Sequence, residues 1–142
     1  MKHPDKSDLE ALSEFRYQLR RFLRFSENAA HAEGLTPQQH QLLLHVKGYP
    51  GRDWATVGEL AERLQMQPHS ALALVARCEA LGLVTRESAL DRRQVLVSLS
   101  PEGEARLLRL SVLHQRELRS LKDVFQVAKI SALTEQMERD LP

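Results

Sequence analysis

The sequence predicts a mainly α-helical chain with one small β-hairpin: a winged helix-turn-helix flanked by helices at both ends. Three observations predict it. Apolar residues recur at helical spacing through most of the chain. Two short helical segments meet at a tight turn within residues 56 to 82. Two strand-like runs then flank a polar segment within residues 83 to 100.

The first helix is read from 7 to about 33, where Leu9, Leu12, Phe15, Leu19, Phe22, Leu23 and Ala30 fall at steps of three and four. Ser7-Asp8-Leu9-Glu10 reads as its capping box and Gly34 as its stop. Thr36-Pro37-Gln38-Gln39 repeats the device, with proline where a helix has no use for its N–H, and opens a second helix to about Lys47. Gly48-Tyr49-Pro50-Gly51 is a turn. Thr56-Val57-Gly58-Glu59 is a third capping box, and Val57, Leu60, Ala61 and Leu64 give the short helix behind it an apolar stripe. Gln67-Pro68 begins the next helix, which turns Ala71, Leu74, Val75 and Cys78 inward and ends at Gly82.

The strand-like runs are Leu83-Val84-Thr85 and Val95-Leu96-Val97-Ser98-Leu99. Ser100-Pro101 starts a long helix bearing Leu107, Leu108, Val112, Leu118, Leu121 and Phe125, and a last helix is expected over 129 to 140. The whole chain, 1–142, reads as a single domain with a winged lobe at 36–100 and helical regions at 1–35 and 101–142. Terminal helices this apolar need a partner surface, and the small winged lobe cannot cover both, so a homodimer formed by them is expected.

Composition narrows the function classes. A chain of 142 residues with 42% apolar and 27% charged residues has globular proportions and can bury a core without staples. The single cysteine, Cys78, allows neither an internal disulfide nor a zinc spacing. The polar start MKHPDKSDLE and the lack of a long apolar run point to a cytoplasmic protein with no membrane partner. Twenty Lys and Arg against 19 Asp and Glu leave a net charge of +1, so the placement of charge has to speak for or against nucleic acid.

No phosphate-binding glycine loop, nucleophile elbow or catalytic carboxylate pair stands in the sequence, so no enzyme and no cofactor are expected. His31, His40, His45 and His114 lack the spacing of metal ligands, and no metal is expected. Tyr49 and Trp54 could line a ligand pocket, or simply pack under a loop.

In a helix-turn-helix the second helix enters the major groove by its N-terminal end. That puts Gln65, Gln67, His69 and Ser70 towards base edges and nearby phosphates, with Arg77 further along as a phosphate clamp. The bland alternatives are a cap for Gln67 and a solvated arginine for Arg77. In the hairpin, Arg86, Arg92 and Arg93 offer guanidinium groups to a narrow minor groove. Asp91 would repel phosphate, so it is expected to pair with one arginine and hold another outward. Arg16, Arg20 and Arg24 form a basic stripe on the first helix, read as a solvated face, because the same helix is needed for the dimer.

Three runs carry a family resemblance. Leu60-Ala61-Glu62-Arg63-Leu64, Glu79-Ala80-Leu81-Gly82-Leu83-Val84-Thr85-Arg86, and the run from Asp91-Arg92-Arg93 through Val95-Leu96-Val97-Ser98-Leu99-Ser100-Pro101-Glu102-Gly103 together resemble the MarR family of multiple-antibiotic-resistance repressors. The resemblance implies a two-fold symmetric homodimer on a pseudo-palindromic double-stranded operator, acting as a repressor and often answering to a small organic ligand. Family members commonly carry small polar residues and an arginine at the middle of the recognition helix, where this chain has Leu72 and Ala73, so base reading is expected to concentrate from Gln67 to Ser70. The competing expectation is a winged-helix protein-protein interaction module that binds no DNA.

Overall fold

The computed structural model describes residues 3–90, 93–120 and 139. Its elements run α1 (Lys6–Ala32), α2 (Pro37–Lys47), β1 (Trp54–Thr56), α3 (Val57–Leu64), α4 (Pro68–Ala80), β2 (Val84–Ser88), β3 (Val95–Leu99) and α5 (Pro101–Ser120). The expected helix at 129–140 lies outside the described residues, save for Arg139. The chain divides into two compact units, one of residues 27–112 and one that joins 1–26 with 113–142.

Helix ends in the larger unit follow the local chemistry of the sequence. The Thr36 hydroxyl accepts from the Gln39 N–H at 3.1 Å while the Gln39 side chain accepts from the Thr36 N–H at 3.0 Å. Thr56 and Glu59 do the same at 3.2 and 2.9 Å, so both boxes satisfy donors that a helix start leaves without partners. Helix α1 corrects the expected cap. Asp5 and Asp8 hold each other's N–H groups at 2.9 and 3.0 Å, and the Leu9 N–H reaches the Asp5 carbonyl. A carboxylate two residues before Ser7 takes the cap, and the helix begins one residue earlier than the serine.

The hairpin is longer than its apolar residues suggest, β2 continuing through Arg86, Glu87 and Ser88. It also gains a third strand. Trp54-Ala55-Thr56 pairs antiparallel with β3, giving the order β1-β3-β2 with Ala55 opposite Val97 and Arg86 opposite Val97 on the other side. Central β3 brings Val97 into the core with Leu42, Leu43 and Val46 of α2, Leu60 of α3, and Leu74, Val75 and Cys78 of α4. Each of these is 3% exposed or less, so the helix pair and the sheet share one apolar interior.

The turn between α3 and α4 is closed by Gln65, whose φ of 52° places it in the left-handed region. Its N–H reaches Ala61 and Glu62 carbonyls, and the Met66 N–H reaches Ala61 at 3.0 Å. A tighter junction ties the hairpin to both neighbouring helices. The Leu83 carbonyl accepts from the Ser100 N–H at 2.9 Å, the Ser100 hydroxyl donates to the Gly82 carbonyl at 2.6 Å, and the same hydroxyl oxygen accepts from the Gly103 N–H at 3.0 Å. Gly103 is required there because a Cβ would collide with the Leu83 carbonyl oxygen and lie 3.0 Å from its carbon.

In the smaller unit, Gln18 is buried and bonded to Glu14 and Arg21 at 3.0 and 3.3 Å. The His114 ring lies edge-on to Phe22 and Phe25, with Nε2 2.8 Å from the Ser26 hydroxyl. Leu9, Leu12, Tyr17, Leu23, Leu113 and Leu118 of this unit remain exposed.

Replacing Gly103 with Ala must push helical backbone away from strand backbone, which should destabilise the protein by roughly 1–3 kcal/mol. Gly58→Ala, on α3 with open space around it, should instead be neutral or add up to about 1 kcal/mol. Thermal unfolding of the two variants tests the pair, and equal behaviour would contradict the steric account of Gly103.

Candidate nucleic-acid interface

The exposed side of α4 follows from its buried one. Ala71, Leu74, Val75 and Cys78 face the core, which leaves His69, Leu72, Ala73, Arg77 and Ala80 outward. Gln67 occupies the N-cap position with an extended backbone, φ −67° and ψ 147°, but its side chain makes no cap hydrogen bond. The exposed Gln67 amide, with His69 and Ser70 beside it on the first turn, therefore forms the polar tip of the helix. Gln65 behaves differently. Its amide nitrogen donates to the Glu62 carbonyl at 2.7 Å and lies 3.3 Å from the Glu62 carboxylate, so the side chain fastens the turn.

Arg77 is exposed on the same helix. In the hairpin, Arg86 is gripped by Glu79 of α4 through two nitrogens at 2.8 and 3.1 Å. The hydrogen bond from Arg86 holds the Glu79 carboxyl below its ordinary range, and the bond to Glu79 raises the Arg86 guanidinium further. Arg86 thus joins β2 to α4 as part of an ion pair. Leu90 and Arg93, towards the tip, are exposed; Asp91 and Arg92 lie outside the described residues. Arg16, Arg20 and Arg24 are exposed on α1, in the other unit.

A cluster that the sequence reading divided differently braces α3. The Arg52 guanidinium lies over the rings of Tyr49 and Trp54, 4.2 and 4.0 Å from their centres, and is hydrogen-bonded to Glu59. Arg63 stands 5.1 Å from the Tyr49 ring on the opposite end of α3. The two aromatic rings are occupied by these cations, and Tyr49 also packs against the core. Burial raises the Glu59 carboxyl, but bonds from the Thr56 N–H, the Tyr49 and Thr56 hydroxyls and Arg52 outweigh it and bring the pKa down to about 2. Neither Arg52 nor Glu59 stood out as a partner in the sequence; an arginine between two aromatics, just before a capping-box glutamate, was the available signal.

Cys78 is fully buried, and burial pushes its thiol up to about 11, as suits a core residue. Burial, with help from Arg63, lowers the His45 pKa. Among the described residues, no three His, Cys, Asp or Glu side chains gather as a metal site, and no helix is long and apolar enough to cross a membrane.

Residues 33–94 match a model of the MarR family. The fold is similar to AbsC, a MarR family transcriptional regulator from Streptomyces coelicolor, with a TM-score of 0.75 at 18% identity over 98% of this chain and 95% of that one. It is also similar to wild-type MarR from E. coli in its apo form, with a TM-score of 0.65 at 19% identity over 99% and 100% of the two chains. A mutant E. coli MarR complexed with operator DNA gives a TM-score of 0.66 at 19% identity over 89% and 90%. Comparison with curated protein sequences gives no match.

The low Glu59 pKa makes a signed prediction. A carboxyl depressed from 4.5 to about 2 stabilises the fold fully above pH 4.5 and loses that contribution as the pH falls through 2. The gap in thermal stability between the parent and Glu59→Gln should therefore be widest above pH 4.5 and close towards pH 2. A gap that does not change with pH would contradict the assignment.

Proposed function

We propose that this chain, whose residues 33–94 match a model of the MarR family, is a DNA-binding transcriptional regulator of that kind that acts as a homodimer on a pseudo-palindromic operator. The observation that carries the proposal is the exposed polar tip of α4, Gln67, His69 and Ser70, on a helix whose opposite face is locked into the core. Such a tip can meet base edges and phosphates without giving up any packing. A similar fold has been seen with operator DNA, which supports the same docking here.

Within that reading the residues divide by task. Gln67, His69 and Ser70 address the major groove, and Arg77 holds phosphate. Arg93 and Arg92 serve the minor groove, with Asp91 orienting them. Gln65 and Arg86 act one step back: Gln65 shapes the turn ahead of α4, and Arg86 couples the hairpin to α4 through Glu79. The winged lobe, 36–100, and the terminal helical regions form one working domain. The exposed leucines of α1 and α5 support a second copy of the chain as what covers them. As a cytoplasmic repressor, the dimer releases DNA when a small organic effector favours a different separation of its two α4 helices.

Binding to duplex DNA should weaken steeply as salt rises, because the phosphate contacts release counterions. Arg93→Ala should lower affinity at every sequence and reduce the slope of log affinity against log salt by about 1 for each arginine removed. A gel shift across a salt series checks both. Unchanged affinity and slope in Arg93→Ala would remove the wing from the interface, and no binding to any duplex at low salt would leave protein contact as the function.

A further inference from the structure

The outward face of α4 changes character along its length. Beyond Gln67, His69 and Ser70 it presents Leu72 and Ala73, with the half-buried Ala76 next to them, before a charge returns at Arg77. With 3.6 residues per turn, Ala73 and Ala76 continue the line of His69 down the helix, and Leu72 lies beside them. Leu72 is 43% exposed, whereas its neighbours Leu74 and Val75 are 3% and 0% exposed. The core therefore makes little use of the Leu72 isobutyl group.

None of these three side chains can donate or accept a hydrogen bond. A surface of this kind, one turn beyond the polar tip and bounded by Arg77, can recognise a base pair only through an apolar feature. The major groove offers one such feature, the 5-methyl group of thymine. The two alanines carry no bulk to hold the helix away from the groove floor, and the leucine alone projects far enough to cover a methyl group.

We infer that Leu72 reads thymine: its side chain, with Ala73 alongside, packs on the 5-methyl group of one thymine in each half-site. The contact excludes water from two apolar groups, while cytosine, which lacks the methyl, leaves the leucine facing an uncovered polar edge. Leu72 is thereby a specificity-determining residue. This rests on α4 entering the major groove, and the experiment separates the two claims.

The full chain is titrated with a duplex recovered from random sequence by binding to it, and with the same duplex carrying deoxyuridine in place of thymine, one position at a time. The replacement deletes the methyl group and keeps every Watson–Crick hydrogen bond. One thymine per half-site should prove sensitive, costing about fourfold in affinity when its methyl is removed, which is about 0.8 kcal/mol at 1.4 kcal/mol per tenfold. Leu72→Ala should bind the thymine duplex more weakly by a similar factor and no longer distinguish the two, and Leu72→Met should restore the preference. Tight binding of the parent protein with no sensitive thymine overturns the methyl contact and leaves the DNA reading in place. Full thymine preference in Leu72→Ala overturns it as well, and failure to hold any duplex overturns both claims.

Discussion

The Leu83 carbonyl is the point on which the winged unit depends. It accepts the Ser100 N–H, and it fills the space that any side chain at residue 103 would need. Leu83 itself is buried directly after the turn that ends α4, and Ser100 is directly ahead of α5. One carbonyl thus fixes the exit of α4, the base of the hairpin and the start of α5 against one another. The Ser100 hydroxyl reinforces it by bonding Gly82 and Gly103 together. In the proposed function a wing must keep its base in place relative to the helix in the neighbouring groove, and these hydrogen bonds tie the two together. The Glu79–Arg86 pair adds a second tie, between β2 and α4.

This arrangement also bears on how a protein with a net charge of +1 would present the DNA-binding surface proposed for it. Arginines of the winged unit are committed internally: Arg86 to Glu79, Arg52 to Glu59 between two aromatic rings, Arg106 to Glu102 and Arg109 to Glu33. At the edge of the unit stand the polar tip of α4, the exposed Arg77 and the exposed Arg93, with Leu72 and Ala73 between the α4 tip and Arg77. Placement of charge, rather than its total, gives the face its character. If α4 docks in a major groove as proposed, its apolar stripe leaves shape and methyl groups as what can be read there beyond the first turn.

Much of this was legible in the sequence because its causes are local. A capping box is a bond pair between residues three apart, so Thr36 with Gln39 and Thr56 with Glu59 could be read directly. The buried stripe of α4 follows from periodicity, and Gly82, with φ 75°, from the need to end a helix. Other features depend on partners that arrive from elsewhere in the fold. Strand β1 is three residues long and exists because β3 lies beside it. The Glu79–Arg86 pair forms across the turn at Gly82, and Arg86 read alone resembles any basic residue of a wing. The cap of α1 went to Asp5 because two carboxylates competed with Ser7 over a few residues, a contest that spacing alone does not decide. Gln65 was expected to point towards DNA, whereas its amide turns back to the Glu62 carbonyl across a turn that the left-handed Gln65 backbone closes.

If two copies of this chain present paired α4 helices to one face of a DNA duplex, as proposed, selection of bound duplexes from a random pool by the purified protein will return a two-fold symmetric motif whose half-sites lie about one helical turn, roughly 10 base pairs, apart. Recovery of no motif at low salt, or of a single unpaired half-site, would contradict the proposal.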